Sequence, residues 1–237
     1  MNRRATVLFT GDPKREAMRK GLPGPLLSTL HRQLADTVRS AGVALIVASE
    51  WRDCFLLRAG EAEREVTSSG LGGKIEAAFR FAFDLGYESV VLLAGDVAGV
   101  DVALLDDAFG ALERSPERTV IGPSGDGGFY LLGLSSGSSI ASSVEWDRLP
   151  WFTPSCAASL TSSIRALGGE LLFVRPMDDI DSYADAVRVT SRLVASVLRR
   201  RLQSVLTRRT PPTDATTSFV RAGAQHVASL RGPPLPT

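Results

Sequence analysis

The chain has 237 residues, 44% of them hydrophobic and 22% charged, which is ordinary for one substantial globular domain with an appendage. A formal net charge of +1 excludes a global electrostatic footprint for nucleic acid or for an acidic partner. Arginine carries nearly all the positive charge, lysine standing only at positions 14, 20 and 74, a bias that reflects genome composition rather than function.

In chain order, Ala5 to Thr10 (ATVLFT) reads as a strand, followed by a basic loop, TGDPKREAMRKGLPGP. Leu26 to Ala41 reads as a helix stopped by Gly42, Val43 to Ala48 as a second strand, and Cys54 to Leu57 as a short one. Gly73 to Leu85 is helical with Gly86 as its stop. Ser89 to Ala94 (SVVLLA) is an unbroken apolar run, as expected of a central parallel strand buried on both faces. Asp101 to Glu113 is helical, Thr119 to Ile121 and Phe129 to Leu134 are strands, and Ala157 to Leu167 is a helix. Glu170 to Val174 is a strand, and one long helix is expected from Tyr183 to about Leu206. Such alternation predicts an α/β domain with a mostly parallel sheet covered by helices.

The predicted domain is 1–207; residues 208–237, rich in proline and threonine, are expected to form a flexible tail with a short helical piece near Phe219 to Leu230. Arginines at 199–201 and 208–209 read as a solvated helix end, the cations favoured by the helix dipole. Cys54 and Cys156 form no CxxC pair and are read as reduced core thiols. The amino-terminal apolar stretch is too short for a signal peptide, and no run approaches the ~20 residues of a membrane span, so a cytoplasmic protein is expected.

Chemistry concentrates in a few segments. In ESVVLLAGDVAGVD a buried strand delivers Asp96 to its carboxyl end, where open α/β sheets bind ligands. Gly95 leaves room beside the backbone, and a carboxylate there is costly without a cation or donor, which fits a metal ion; the alternative is a turn cap. In FVRPMDDIDSYAD, Asp178, Asp179 and Asp181 lie within four positions and Asp185 in the following helix. Such a cluster is costly without a cation or a set of donors. Asp181 suits a helix cap, while Asp179 or Asp181 equally suits a second metal ligand. In GPSGDGGFYLLGL, Asp126 with Gly127 and Gly128 offers a hydroxyl-binding carboxylate and backbone donors, although DGG alone is a common turn.

The loop after the first strand matches neither GxGxxG nor GxxxxGK[ST], but Gly11, Lys14, Arg15, Arg19 and Lys20 suit the phosphates of a nucleotide, or merely a solvated loop. Lys74 stands in the first turn of a helix, where a cation opposes the dipole unless an anion is near. Trp146 and Trp151 suit either an acceptor pocket or the core.

Taken in order, FTGDP…GL, LGGK, LLAGDVAGV, GPSGDGGFYLLGL, Trp146 and DDIDSYAD resemble the bacterial GT-A-like family of radical-SAM/selenodomain-associated transferases, over roughly residues 5 to 195. That family is similar in its core to the molybdenum-cofactor and phospholactate guanylyltransferases. The resemblance implies a GT-A-type (nucleotide-diphospho-sugar transferase) three-layer sandwich with a mostly parallel central sheet. It implies Asp96 as the metal-site aspartate, Asp126 to Gly128 as the family's DGG, and Asp179, Asp181 and Asp185 as its D-x-D-x-x-x-D run. The first loop departs from the family's PxxGxxKTRL: Arg19, Lys20 and Gly21 stand where Lys, Thr and Arg are expected.

The expectation is therefore a transferase using Mg²⁺ or Mn²⁺, with Asp96, Asp179 and Asp181 on the metal and Asp96 and Asp126 at the reacting groups. The donor is a nucleotide-sugar or a nucleoside triphosphate and the acceptor a small molecule. The alternative is a catalytically silent nucleotide- or partner-binding relative.

Overall fold

The computed structural model describes residues 3–49, 57–67, 70–194 and 196–207. The strands are β1 (Arg4–Thr10), β2 (Ala44–Ser49), β3 (Ala62–Glu65), β4 (Ser89–Ala94), β5 (Arg118–Pro123), β6 (Phe129–Ser135) and β7 (Glu170–Phe173). The helices are α1 (Pro13–Arg19), α2 (Pro25–Ser40), α3 (Leu71–Asp84), α4 (Val102–Arg114), α5 (Ser139–Ser143), α6 (Cys156–Ala166), α7 (Tyr183–Arg192) and α8 (Val197–Thr207). A short 3₁₀ turn, Trp146–Arg148, follows α5.

The strands form one sheet in the order β3-β2-β1-β4-β6-β5-β7. Every ladder is parallel except the two made by β6, which runs antiparallel to β4 and β5. All six residues of β4 are buried, which is why its sequence is apolar without alternation. Because β6 is reversed, the turn joining it to β5 lies at the same edge as the carboxyl ends of β1 and β4. The larger core packs α3, α4 and α6 against the sheet, and a smaller one joins α1, α2, α7 and α8 through Ala17, Leu30, Ile180, Ala186, Leu198 and Leu202. No helix among the described residues is long and apolar enough to cross a membrane.

Three local expectations are corrected. The segment expected to be a basic loop folds as α1, because Asp12 accepts the backbone N–H groups of Lys14 (2.8 Å) and Arg15 (3.1 Å) and Pro13 supplies the first helical residue. The long carboxyl-terminal helix is two helices: α7 ends at Leu193 in an extended conformation, and Ser196 Oγ caps α8 by accepting from Arg199 N at 3.2 Å. Apolar periodicity continues through this break and hides it. Third, β3, α5 and the 3₁₀ turn were not expected; the first is a short edge strand of sequence AERE without apolar alternation. Cys54 to Leu56, the tail 208–237 and its helical piece lie outside the described residues, and Leu57 has no regular structure.

Helix α3 begins at Gly70, which has no side chain to cap it, and borrows its cap from far along the chain. Gly73 N donates to Asp147 Oδ1 at 3.1 Å, and a Cβ on Gly72 would stand 2.4 Å from the Trp146 carbonyl oxygen. Trp146 is thereby held against the core and stacks on Phe79 at 6.3 Å, while Trp151 packs on Phe129; both tryptophans serve packing. Gly72→Ala is expected to destabilise the protein by roughly 2–3 kcal/mol through overpacking, and Asp147→Ala by about 1 kcal/mol through loss of the cap. Urea unfolding followed by tryptophan fluorescence checks both, and equal midpoints for wild type and Gly72→Ala would refute the contact.

Candidate functional site

The carboxyl end of β4 sets the site. Past Ala94 the chain leaves the sheet at Gly95, and Asp96 is only 3% exposed. An isolated carboxylate could not stay ionised there without compensation. Lys20, just beyond α1, provides it: Nζ donates to Asp96 Oδ2 at 2.7 Å and to the carbonyl oxygen of Ile180 at 3.1 Å. Glu16 Oε1 stands 3.4 Å and Asp181 Oδ1 3.3 Å from the same ammonium, whose side chain is 2% exposed. Burial raises the Glu16 carboxyl above its ordinary range, against the opposing pull of Lys20.

Ile180 ties the acidic segment to this centre. Its N–H donates to the Asp96 carbonyl at 3.0 Å, its side chain is fully buried in the helical core, and Asp179 bridges antiparallel to Val97. Asp179 and Asp181 therefore flank a buried anchor. The β5–β6 turn brings Asp126 to them, so that one carboxylate oxygen from each of Asp126, Asp179 and Asp181 lies within 4.8 Å of the others. Asp126 is fixed by Ser124 Oγ (2.5 Å) and Gly128 N (3.0 Å), both donating to Oδ1. Its other oxygen, Oδ2, is buried with no hydrogen-bond partner among the described residues. Three converging hard oxygen donors, one of them buried without a partner, fit a divalent cation such as Mg²⁺ or Mn²⁺.

The remaining candidates separate. Lys14, Arg15 and Arg19 are exposed on α1, whereas Lys20 is turned inward. Lys74 is buried in the first turn of α3. Gly11 lies against Glu16, where a Cβ would stand 3.3 Å from Oε2. The room beside Gly95 is taken by His31 and Thr10, with His31 Nε2 2.8 Å from a would-be Cβ. Gly127, at φ +88°, abuts the Pro154 carbonyl, 2.0 Å from a would-be Cβ, and its N–H donates to Ser124. The chain itself thus fills the space and uses the N–H groups of the DGG segment. Asp178 pairs with Arg192 and Arg188, and Asp185 with Arg188, so neither joins the triad. The cap of α7 is Ser182, whose Oγ accepts from Asp185 N and donates to its carboxylate; Asp181 is not the cap.

A family model described as an uncharacterized protein conserved in bacteria (DUF2064) matches residues 30–148, half the chain. Among solved structures, a candidate nucleotide-diphospho-sugar transferase from Desulfovibrio desulfuricans G20 is 19% identical, covering 87% of this chain and 98% of its own, with a TM-score of 0.66. Rv0371c from Mycobacterium tuberculosis H37Rv is 19% identical over 80% of this chain and 98% of its own, with a TM-score of 0.52. CMP:2-keto-3-deoxy-manno-octonic acid synthetase complexed with CTP is 12% identical over 86% of this chain and 99% of its own, also at 0.52. The fold is therefore that of the nucleotide-diphospho-sugar transferases. No curated protein matches the chain in sequence.

Sequence reasoning missed Glu16 and His31. The signal for Glu16 was its position four residues before Lys20; that for His31 was its place on the apolar stripe Leu27, Leu30, His31, Leu34 of α2. His31 is 1% exposed, its Nε2 has no partner among the described residues, and Asp96 and Lys20 act on it with opposite sign. Burial dominates and lowers its pKa from 6.5 to about 4. A neutral folded-state histidine gives stability that is complete above pH 6.5 and is lost as pH falls toward 4. Between pH 7 and pH 5 this amounts to about 2 kcal/mol. Denaturant unfolding at the two pH values is expected to show that loss in wild type and a loss smaller by this amount in His31→Gln; equal losses would contradict a buried neutral histidine.

Proposed function

The chain belongs to this family of bacterial proteins, and we propose that it is a metal-dependent transferase acting on a nucleotide-activated donor, a nucleotide-sugar or a nucleoside triphosphate, and a small-molecule acceptor. The observation that carries the reading is the convergence of Asp126, Asp179 and Asp181 at the carboxyl edge of this sheet, with Asp126 Oδ2 buried and without a partner among the described residues. Edges of this kind are where open α/β sheets take their ligands. The structural likeness to a synthetase complexed with CTP agrees with a nucleotide as ligand. The motif series quoted above supports placement in the radical-SAM/selenodomain-associated branch.

In this reading Asp126, Asp179 and Asp181 hold the ion, and a bound Mg²⁺ or Mn²⁺ supplies neutralisation of negative charge on the donor's phosphates. The protein's own residues do the rest. Lys14, Arg15 and Arg19 on α1 offer an exposed cationic rim for the phosphates, and Lys74 a buried cation in the first turn of α3. Gly11 and Gly95 keep the strand ends narrow enough for Glu16 and His31 to pack under the site. Asp126 is held on Ser124 and Gly128 and so keeps one oxygen for the ion or for a hydroxyl of the donor. Asp96 serves the site through Lys20.

Nucleoside triphosphates and nucleotide-sugars, each with and without Mg²⁺ or Mn²⁺, are to be tested by thermal shift on wild type, Asp126→Asn and Asp179→Asn. One ligand class at about 100 times its Kd is expected to raise Tm by roughly 5–10 °C in a metal-dependent way, and the shift to vanish in both variants. Release of pyrophosphate in turnover marks nucleotidyl transfer, and release of nucleoside diphosphate marks glycosyl transfer. Absence of any metal-dependent shift in wild type would favour the silent, partner-binding relative instead.

A further inference from the structure

We infer that Lys20 is an internal cation that competes with the divalent ion for Asp96 and Asp181, so that this chain binds metal weakly until the ammonium is drawn away. The inference rests on the metal reading above. Among the described residues, Lys20 Nζ has four oxygen neighbours: Asp96 Oδ2 at 2.7 Å, Ile180 O at 3.1 Å, Asp181 Oδ1 at 3.3 Å and Glu16 Oε1 at 3.4 Å. An ammonium has three N–H donors, and with its side chain 2% exposed these go to the protein rather than to water. The set is an oxygen cage around a resident positive charge, built from α1, the end of β4 and the segment before α7.

Asp181 belongs to two sets at once. It stands beside Lys20, and it is also one of the three carboxylates converging with Asp126 and Asp179. A divalent ion takes carboxylate oxygens at about 2.0–2.2 Å, well inside hydrogen-bond distance. It cannot share Asp96 Oδ2 with an ammonium already in contact with it. An ion confined to Asp126 and Asp179 still meets the repulsion of a positive charge one carboxylate away. Lys20 therefore occupies Oδ2 of Asp96 and weakens the grip of Asp181. His31, 1% exposed, packs beside Gly95 on the Asp96 side of the cage.

Two consequences follow. Metal alone binds poorly, and an anionic donor that attracts the Lys20 ammonium raises metal affinity, with metal raising donor affinity by the same factor. The ammonium also keeps Asp96 and Glu16 buried as a stable unit before any ligand arrives.

The test is calorimetric titration with Mn²⁺ alone, on wild type, K20M and E16Q/K20M. The double variant removes one buried carboxylate together with the ammonium and so guards against misfolding of K20M. Both variants are expected to bind Mn²⁺ roughly tenfold tighter or more than wild type, and introducing D96N into E16Q/K20M to reverse most of the gain. Mn²⁺ bound equally by wild type and E16Q/K20M overturns the competition while leaving the metal reading intact. Absence of Mn²⁺ binding in every variant, with or without a nucleoside triphosphate, overturns both.

Discussion

A strand buried on both faces has to end somewhere, and in this protein β4 ends on a carboxylate. Its six buried residues lie between β1 and β6 with helices above and below, so the first polar side chain past the strand meets an interior rather than solvent. Removing one partner of such a buried pair commonly costs 3–5 kcal/mol, because the other is left charged and unsolvated. Lys20 must therefore be where it is, and several local features follow from that need. Helix α1 has to start immediately after β1, which Asp12 and Pro13 arrange, and has to be short enough for Lys20 to turn back beneath it. Leu22 to Leu30 must then seal the far side, which they do as part of the smaller core.

The same need explains the spacing of the acidic segment. Asp179 and Asp181 flank Ile180, which is committed by its side chain to the helical core and by its backbone to Asp96 and Lys20. One apolar residue thus places two carboxylates. The β5–β6 turn supplies the third from a different direction, since the reversal of β6 returns the chain to the edge where the parallel strands finish. Gly127, pressed on the Pro154 carbonyl at positive φ, is what lets that turn close tightly enough to present Asp126.

Much of this was legible in the residues. The apolar run of β4 and the amphipathic stripe of α2 showed their structure because burial on two faces, or on one helical face, leaves a periodic record. Asp96 stood out because a carboxylate after an apolar strand is costly without a partner, Asp179 and Asp181 because clustered carboxylates repel, and Asp126 because two glycines follow it. Helix α1 was hidden by its seven-residue length among charged residues, although Asp12, Pro13 and Glu16 carried a start signal. The break between α7 and α8 was hidden for the opposite reason, an amphipathic pattern that runs on through it. What could not be read was which way each cation turns. Lys14, Arg15, Arg19 and Lys20 look alike in sequence, and only the packing of α1 on α2 sends the last of them inward.

The smaller core has a bearing on the order in which the site can come into being. Its members span from Ala17 near the start of the chain to Leu202 and Leu206 in the last described helix, and Ile180 sits among them. The central ladder of β1 and β4 can pair as soon as residue 94 has been made, but the cage around Lys20 lacks a wall until the DDID segment and the helices behind it have docked. During synthesis the half-built pocket holds Asp96, Lys20 and Glu16 before the Ile180 carbonyl and Asp181 arrive. Its completion is a late event, and damage to α8 would reach the acidic cluster without touching any residue in it.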